Sequence, residues 1–445
     1  MKSEPWDRLT LFEKGFFYDE DIATNDLPHH IETLRQAMLD FAYENFDLTS
    51  EKDTTAATQH LAKYHSEGGA SEETWKIFFR ENFFNPLVQN VSISHDSRRV
   101  SRCNYYYDSI VGDSEASWVT FDVKGERLGS SIPDSFENHR APRPDYGFYF
   151  PMYHLTAKTH IPATSNHKAL QWHKASTPSL VESFSLPLLQ NLYGHGLRPS
   201  PFNAFKKGAP EKFLKCFPWL IVEQKKGQKS ERLNMEAYCQ AVNASGCAVR
   251  LNQIAAKYAI GLVGEAHVPP VPAVTTVGPE VKVWITYFAK DVMAYHKAGK
   301  MRRWHGGGYN MQCIWEGNMT EPRDIVKFRL ILENTYTWAT RVFKPLMTTY
   351  IDQWRFVYSD GGLNSSNVAM VRRQESIELS RNALPLIQGT RGHRSNLEAD
   401  DDLLIRLLQK LIKSEERRNL IQEIIAQKDM CKERADSPNE TGHST

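Results

Sequence analysis

The spacing of hydrophobic positions changes several times along the chain, and each change marks an element. Residues 30–47 and 54–66 carry apolar residues near helical spacing, Leu34, Met38, Phe41 and Phe46 in the first stretch, which predicts two short amphipathic helices. After a loop at Gly68-Gly69, Ser71 supplies a cap and Glu72 and Glu73 supply first-turn charge. Trp75, Phe78, Phe79 and Phe83 follow as an apolar stripe, so a core helix is expected to end near Asn85-Pro86.

Between about 100 and 150 the period shortens to two. In SWVTFDVKG, Trp118, Thr120 and Asp122 alternate with Val119, Phe121 and Val123, predicting a strand that ends at Lys124-Gly125. Arg143-Pro144-Asp145 then leads into YGFYF, a second strand that begins at the aspartate. Residues 151–215 are irregular and rich in Pro, His, Ser and Lys, an insertion with one helix around 179–193. Phe217 to Glu223 is apolar enough for a central strand.

Ser230 opens a long helix reaching about Tyr258, with Ala237, Ala241, Ala244, Ala248 and Ala255 on one face, small enough to lie close against a sheet. Val271 to Val277 and Val281 to Phe288 predict two further strands about Gly278-Pro279. Thr320 is expected to cap a helix with Pro322 in its first turn, running to Lys344-Pro345. This order predicts an α/β fold, a mixed sheet flanked by helices, over 71–358, preceded by an acidic helical extension, 1–70. Beyond it, 359–399 reads as a linker, 400–430 as an amphipathic helix suited to a protein partner or self-association, and 431–445 as a disordered tail.

Composition narrows the class. With 445 residues, 41% hydrophobic and 24% charged, the chain is expected to fold in water. No stretch approaches the roughly 18 apolar residues that span a bilayer, and the first residues carry no apolar signal core, so an intracellular protein, nuclear or cytoplasmic, with no membrane partner is expected. Six cysteines without CxxC or knuckle spacing predict reduced thiols rather than a zinc module or a disulfide framework. The net charge of +1 conceals an asymmetry: residues 1–90 hold 8 basic and 17 acidic residues, net −9, leaving +10 on the remainder. Between Lys206 and Arg232 eight basic residues face three acidic ones, and Lys297, Lys300, Arg302 and Arg303 form a second cluster; both suit a polyanion.

The informative chemistry lies at two strand ends. Side chains two apart in a strand share a face, so Glu223 and Lys225 project together while Gln224 faces away. If the strand of Asp145 lies beside that of Glu223, two carboxylates converge with one amine. Such a set suits Mg²⁺ or Mn²⁺, which takes one or two carboxylates and completes its shell with water and phosphate oxygens. Metal-assisted hydrolysis of a phosphodiester is the chemistry this set would perform.

Pro144-Asp145, then Glu223-Gln224-Lys225 closing an apolar strand, then a long helix, resembles the PD-(D/E)XK nuclease superfamily, the restriction-endonuclease-like fold. The wording of PWLIVEQKKG, the helix with Gln240 and Asn243, and IWEGNMTEPRDIVKFRLILENTYTWATRVFKP resembles a fungal group assigned to that superfamily. The resemblance covers about 71–358. It implies a core of order αβββαβ, Asp145 and Glu223 as metal ligands with the Gln224 carbonyl as a third, and Lys225 as the catalytic lysine. It further implies a glutamate from the first core helix, best matched by Glu81, and a polar residue facing the site at Gln240. The implied substrate is nucleic acid, DNA before RNA, and the alternative is a catalytically silent binding module on the same fold. The 78 positions between the half-motifs require an insertion that bulges out without parting the strands.

Other motifs lead nowhere. Pro133-Asp134 is followed by no strand, and His305-Gly306-Gly307-Gly308 lacks a G-x-S-x-G partner and reads as a flexible turn. Gly194-His195-Gly196 is not a dinucleotide loop, and no Walker A sequence occurs. Tyr336, Trp338 and Phe343 read as core.

Overall fold

The computed structural model of the chain describes residues 7–23, 27–41, 49–88, 110–121, 141–154, 182–227, 230–259, 267–297 and 300–358. The expected linker, C-terminal helix and tail lie outside the described residues.

The acidic front begins with α1 (Arg8–Glu13), capped by the Asp7 carboxylate accepting the Thr10 N–H, and β1 (Phe16–Asp19). Helices α2 (His29–Met38) and α3 (Thr49–Glu67) follow where helical periodicity places them, although α2 stops before Phe41. Ser71 caps α4 (Glu72–Phe79) as expected, its hydroxyl accepting the Thr74 N–H, and the helix continues through a π turn, Arg80–Phe84, into Asn85–Val88. Next come β2 (Val111–Ser114), β3 (Tyr146–Pro151), α5 (Leu186–Gly194), β4 (Lys215–Lys225) and α6 (Glu231–Ala255). The chain then forms β5 (Val271–Val277), β6 (Glu280–Ala289), the hairpin β7 (Val292–Lys297) and β8 (Lys300–Trp304), and β9 (Gly308–Asn318). Helices α7 (Pro322–Trp338) and α8 (Lys344–Val357) end the described residues, joined by a π turn, Ala339–Phe343.

Seven strands form one open mixed sheet in the order β1-β9-β6-β5-β4-β3-β2. Strand β3 is antiparallel to both β2 and β4, and β4 runs parallel to β5. A parallel pair needs a long crossover, which α6 supplies. On one face the small residues of α6 pack against Ile221, Ala273, Trp284 and Met311. On the other, the π turn after α4 meets α7 through Phe83 and Phe328 at 5.0 Å, and Phe84 stacks on Tyr146 of β3 at 5.5 Å. Tyr336, Trp338 and Phe343 are buried, as core residues should be. Four cysteines, Cys216, Cys239, Cys247 and Cys313, are buried free thiols. Among the described residues no helix is long and apolar enough to cross a membrane.

Two expectations require correction. Over 117–121, the described part of the strand predicted for 117–125, no strand is formed: Val119–Phe121 is a 3₁₀ turn, and the strand lies earlier, at β2, while 122–125 lie outside the described residues. The backbone there bonds to loops rather than a ladder, with Trp118 N–H on Pro142 O at 2.9 Å and Thr120 N–H on Pro201 O at 3.2 Å. The alternation reflected packing of Trp118, whose indole N–H reaches the Tyr149 hydroxyl at 3.1 Å. Thr320 is not the cap of α7. Its N–H and hydroxyl turn back to Asn318 Oδ1, and Glu321 occupies the cap position. The turn expected at the glycines after His305 connects β8 to β9, with Gly306 and Gly307 between the two strands. Gly307 N–H is bonded to Lys290 O at 3.1 Å, and Gly308 begins β9, where an added Cβ would lie 2.4 Å from the Phe17 ring.

The front of the chain is built into the sheet. β1 pairs in parallel with β9, Tyr309 N–H donates to Gly15 O at 2.8 Å, and Ala23 N–H donates to Cys313 O at 3.0 Å.

Candidate functional site

Strand β4 is apolar through Val222 and polar only in its last three residues, yet these remain inside the protein: Glu223, Gln224 and Lys225 are 3%, 3% and 7% exposed. Buried charge at that position demands partners. The β3–β4 register sets Tyr146 opposite Val222, so Asp145 enters β3 facing Glu223. Asp145 Oδ2 accepts the Gln224 main-chain N–H at 2.7 Å, and Asp145 also hydrogen-bonds the Glu223 side chain. The insertion leaves without parting the strands, because Met152 N–H donates to Leu214 O at 2.9 Å across its base.

Asp145, Glu223 and Lys225 line one cavity of about 260 Å³. Gln240 and Asn243, three apart on α6 and therefore on one face of that helix, form another wall. Glu115 and Arg143 line it from the segments flanking β2 and β3. The end of β4 is fastened by the β5–β6 turn, where Gly278 N–H donates to Lys225 O at 3.0 Å. Gly278 has φ +59°, and a Cβ there would lie 2.4 Å from Gly227 Cα.

Burial pushes the Glu223 carboxyl well above the usual carboxylate range, and the nearby Asp145 charge adds to this; the Lys225 ammonium opposes it. The neighbouring phenol of Tyr149, wholly buried, is likewise raised, first by burial. Glu115 has φ +54°, uncommon for a residue with a side chain, and strain of this kind often accompanies a functional site. Its carboxylate receives Arg143 Nη2 at 3.1 Å, and its carbonyl receives Arg143 Nε at 2.8 Å.

Helix α4 reaches the site with Lys76 rather than Glu81. Lys76 Nζ lies 2.8 Å from Asp145 Oδ1, 3.2 Å from Glu115 Oε1 and 3.3 Å from Glu72 Oε1. Burial works against the charge of this ammonium, but hydrogen bonding to Asp145, with the charges of Asp145 and Glu72 and a bond to Glu115, holds its pKa above the usual lysine range. Glu81 sits in the π turn, 57% exposed and 3.4 Å from Arg80 Nε, and does not line the cavity. Gln224 contributes its main chain, while its side chain is buried away from the cavity with Nε2 unpartnered.

Sequence reasoning missed Lys76, Glu115 and Arg143. Glu72 and Lys76 at i and i+4 read as an ordinary surface helix pair, and Glu115 stands in a short polar stretch with no periodic signal. Among the described residues no group of three or more His, Cys, Asp and Glu side chains gathers in a metal-ligating arrangement. Two acids and water suffice for Mg²⁺. An ionised carboxylate has about four acceptor sites, so Asp145 keeps lone pairs beyond those facing Lys76 and Gln224. The donor set therefore fits a hard divalent ion bound through two carboxylates. Comparison of the chain with protein-family models, curated proteins and solved structures found no match.

Proposed function

We propose that this protein is a metal-dependent nuclease that hydrolyses phosphodiester bonds of nucleic acid, DNA before RNA, on a restriction-endonuclease-like core. One observation carries the reading: Asp145, Glu223 and Lys225, separated by up to 80 positions, line a single cavity. The order of α4, three antiparallel strands, α6 and a parallel β5 supports the αβββαβ core.

Asp145 and Glu223 would hold Mg²⁺ or Mn²⁺, which supplies Lewis-acid polarisation of the phosphate and acidification of water. The chain's own groups do the rest. Lys225 Nζ orients the attacking water and offers charge to the phosphate oxygens as they gain negative character. Gln240 and Asn243 offer amide hydrogen bonds from α6. Arg143, 61% exposed at the cavity, meets a phosphate approaching from solvent. The basic run between Lys206 and Arg232 suits the same polyanion, whose binding should weaken steeply with salt.

The test is nicking of supercoiled plasmid in Mg²⁺ or Mn²⁺. Wild type should cut, and Lys225→Ala should lose on the order of 10²-fold or more while keeping the wild-type circular dichroism spectrum. Equal cutting by both proteins would remove the assignment. A second reading, a silent nucleic-acid-binding module, is favoured by Lys76, which already engages Asp145. It predicts plasmid binding without cutting by either protein.

A further inference from the structure

The surroundings of Asp145 contain a cation supplied by the chain itself. Lys76 Nζ stands 2.8 Å from Oδ1, the distance of a charge-assisted hydrogen bond, while Oδ2 accepts the Gln224 N–H at 2.7 Å. Each oxygen of the proposed ligand thus already accepts a donor. The same ammonium lies within 3.3 Å of Glu72 and 3.2 Å of Glu115, so it touches carboxylates from three separate segments and its side chain is only 17% exposed. Glu115 is itself fixed by two hydrogen bonds from Arg143. It therefore forms a stationary acceptor next to a lysine whose terminal bonds can rotate.

A divalent ion on Asp145 would stand a few ångströms from this ammonium, where like charges in a partly buried site repel strongly. Rotation of the lysine's terminal bonds relieves that repulsion, because the ammonium already lies within reach of both alternative acceptors. We propose that Lys76 is the resident counter-cation of Asp145, and that a divalent ion enters by exchange with it as the ammonium passes to Glu115 and Glu72. This inference rests on the reading of Asp145 as a metal ligand. Two consequences follow from charge alone. The metal-free protein keeps Asp145 neutralised without an ion, and removing the lysine's charge strengthens metal uptake while weakening the metal-free fold. A lysine that merely positioned Asp145 would give the opposite sign for uptake, since its loss would disorder the ligand.

The experiment is calorimetric titration of Mn²⁺ into wild type, Lys76→Gln, Lys76→Arg and Glu115→Gln, with thermal melts of each protein with and without the ion. Lys76→Gln should bind Mn²⁺ at least about tenfold tighter than wild type, melt lower without it, and gain more from it; Lys76→Arg should resemble wild type. Glu115→Gln, which removes an acceptor for the displaced ammonium, should bind Mn²⁺ more weakly than wild type. It also provides the reading if Lys76→Gln does not fold. Unchanged or weaker binding by Lys76→Gln, or unchanged or tighter binding by Glu115→Gln, overturns the exchange while leaving the metal site itself standing. Absence of Mn²⁺ uptake by wild type and every variant instead removes the metal site, and the exchange falls with it.

Discussion

A carboxyl group with 3% exposure, hydrogen-bonded to a second carboxyl group, is the residue that most constrains what this site can do. Burial and the adjacent Asp145 charge keep the proton on Glu223 to higher pH in the folded chain than in the unfolded one, where glutamate titrates near about 4.3. Above that value the folded state binds more protons than the unfolded state, so this group lowers stability as pH rises. Glu223→Gln, which removes the titration and keeps the shape, should therefore melt higher than wild type at neutral pH without metal. The difference should shrink as pH falls toward the ordinary glutamate range. Melting curves followed by circular dichroism across that range check this, and a variant that melts lower at every pH would contradict it. Asp145, Glu223 and Lys225 were readable in the sequence because each stands where a hydrophobic strand starts or stops. Lys76 was not, because a lysine four residues after a glutamate looks the same whether its helix faces solvent or a site.

At the scale of elements, the site depends on how the end of β4 is held. The main-chain carbonyl of Lys225 is bonded by Gly278 from the β5–β6 turn, and the two glycine segments approach so closely that no side chain fits between them. Gly278→Ala should cost at least about 1–2 kcal/mol, from the left-handed conformation together with the contact to Gly227. It should also reduce any cutting activity beyond what the stability loss explains, because Lys225 moves with its strand. Denaturant unfolding measures the first part, and a variant as stable as wild type would show that the turn is not the clamp. Long periodic segments such as α4, α6, β5 and β6 could be read directly from hydrophobic spacing. Strand β2 could not, since VGDS has no alternation to detect, whereas the alternating SWVTF forms a 3₁₀ turn beside the buried Trp118. Local pattern identifies what is buried more reliably than which backbone shape buries it.

For the molecule as a whole, the acidic front, expected as a helical extension, contributes strand β1 to the sheet. Leu11, Phe12, Phe16, Phe17 and Tyr18 are all buried, and at about 1.5–3 kcal/mol for each large side chain their loss rivals the about 5–15 kcal/mol that holds a typical domain together. Deleting residues 1–20 should abolish cooperative melting; a truncated protein that unfolds like the full chain would show that β1 is dispensable. Charge counting had separated this acidic front from the basic body, but sequence charge carries no information about strand pairing. The parallel β1–β9 contact joins residues nearly 300 positions apart, which no local signal announces.

The central claim is that Asp145 and Glu223 jointly hold a divalent ion, and it can be observed directly. Crystals soaked in Mn²⁺ and measured for anomalous scattering should give a peak between the two carboxylates, roughly 2.0–2.2 Å from an oxygen of each, as expected for a hard divalent ion. A map with no peak in that cavity, or with Mn²⁺ bound only elsewhere on the protein, would contradict the account.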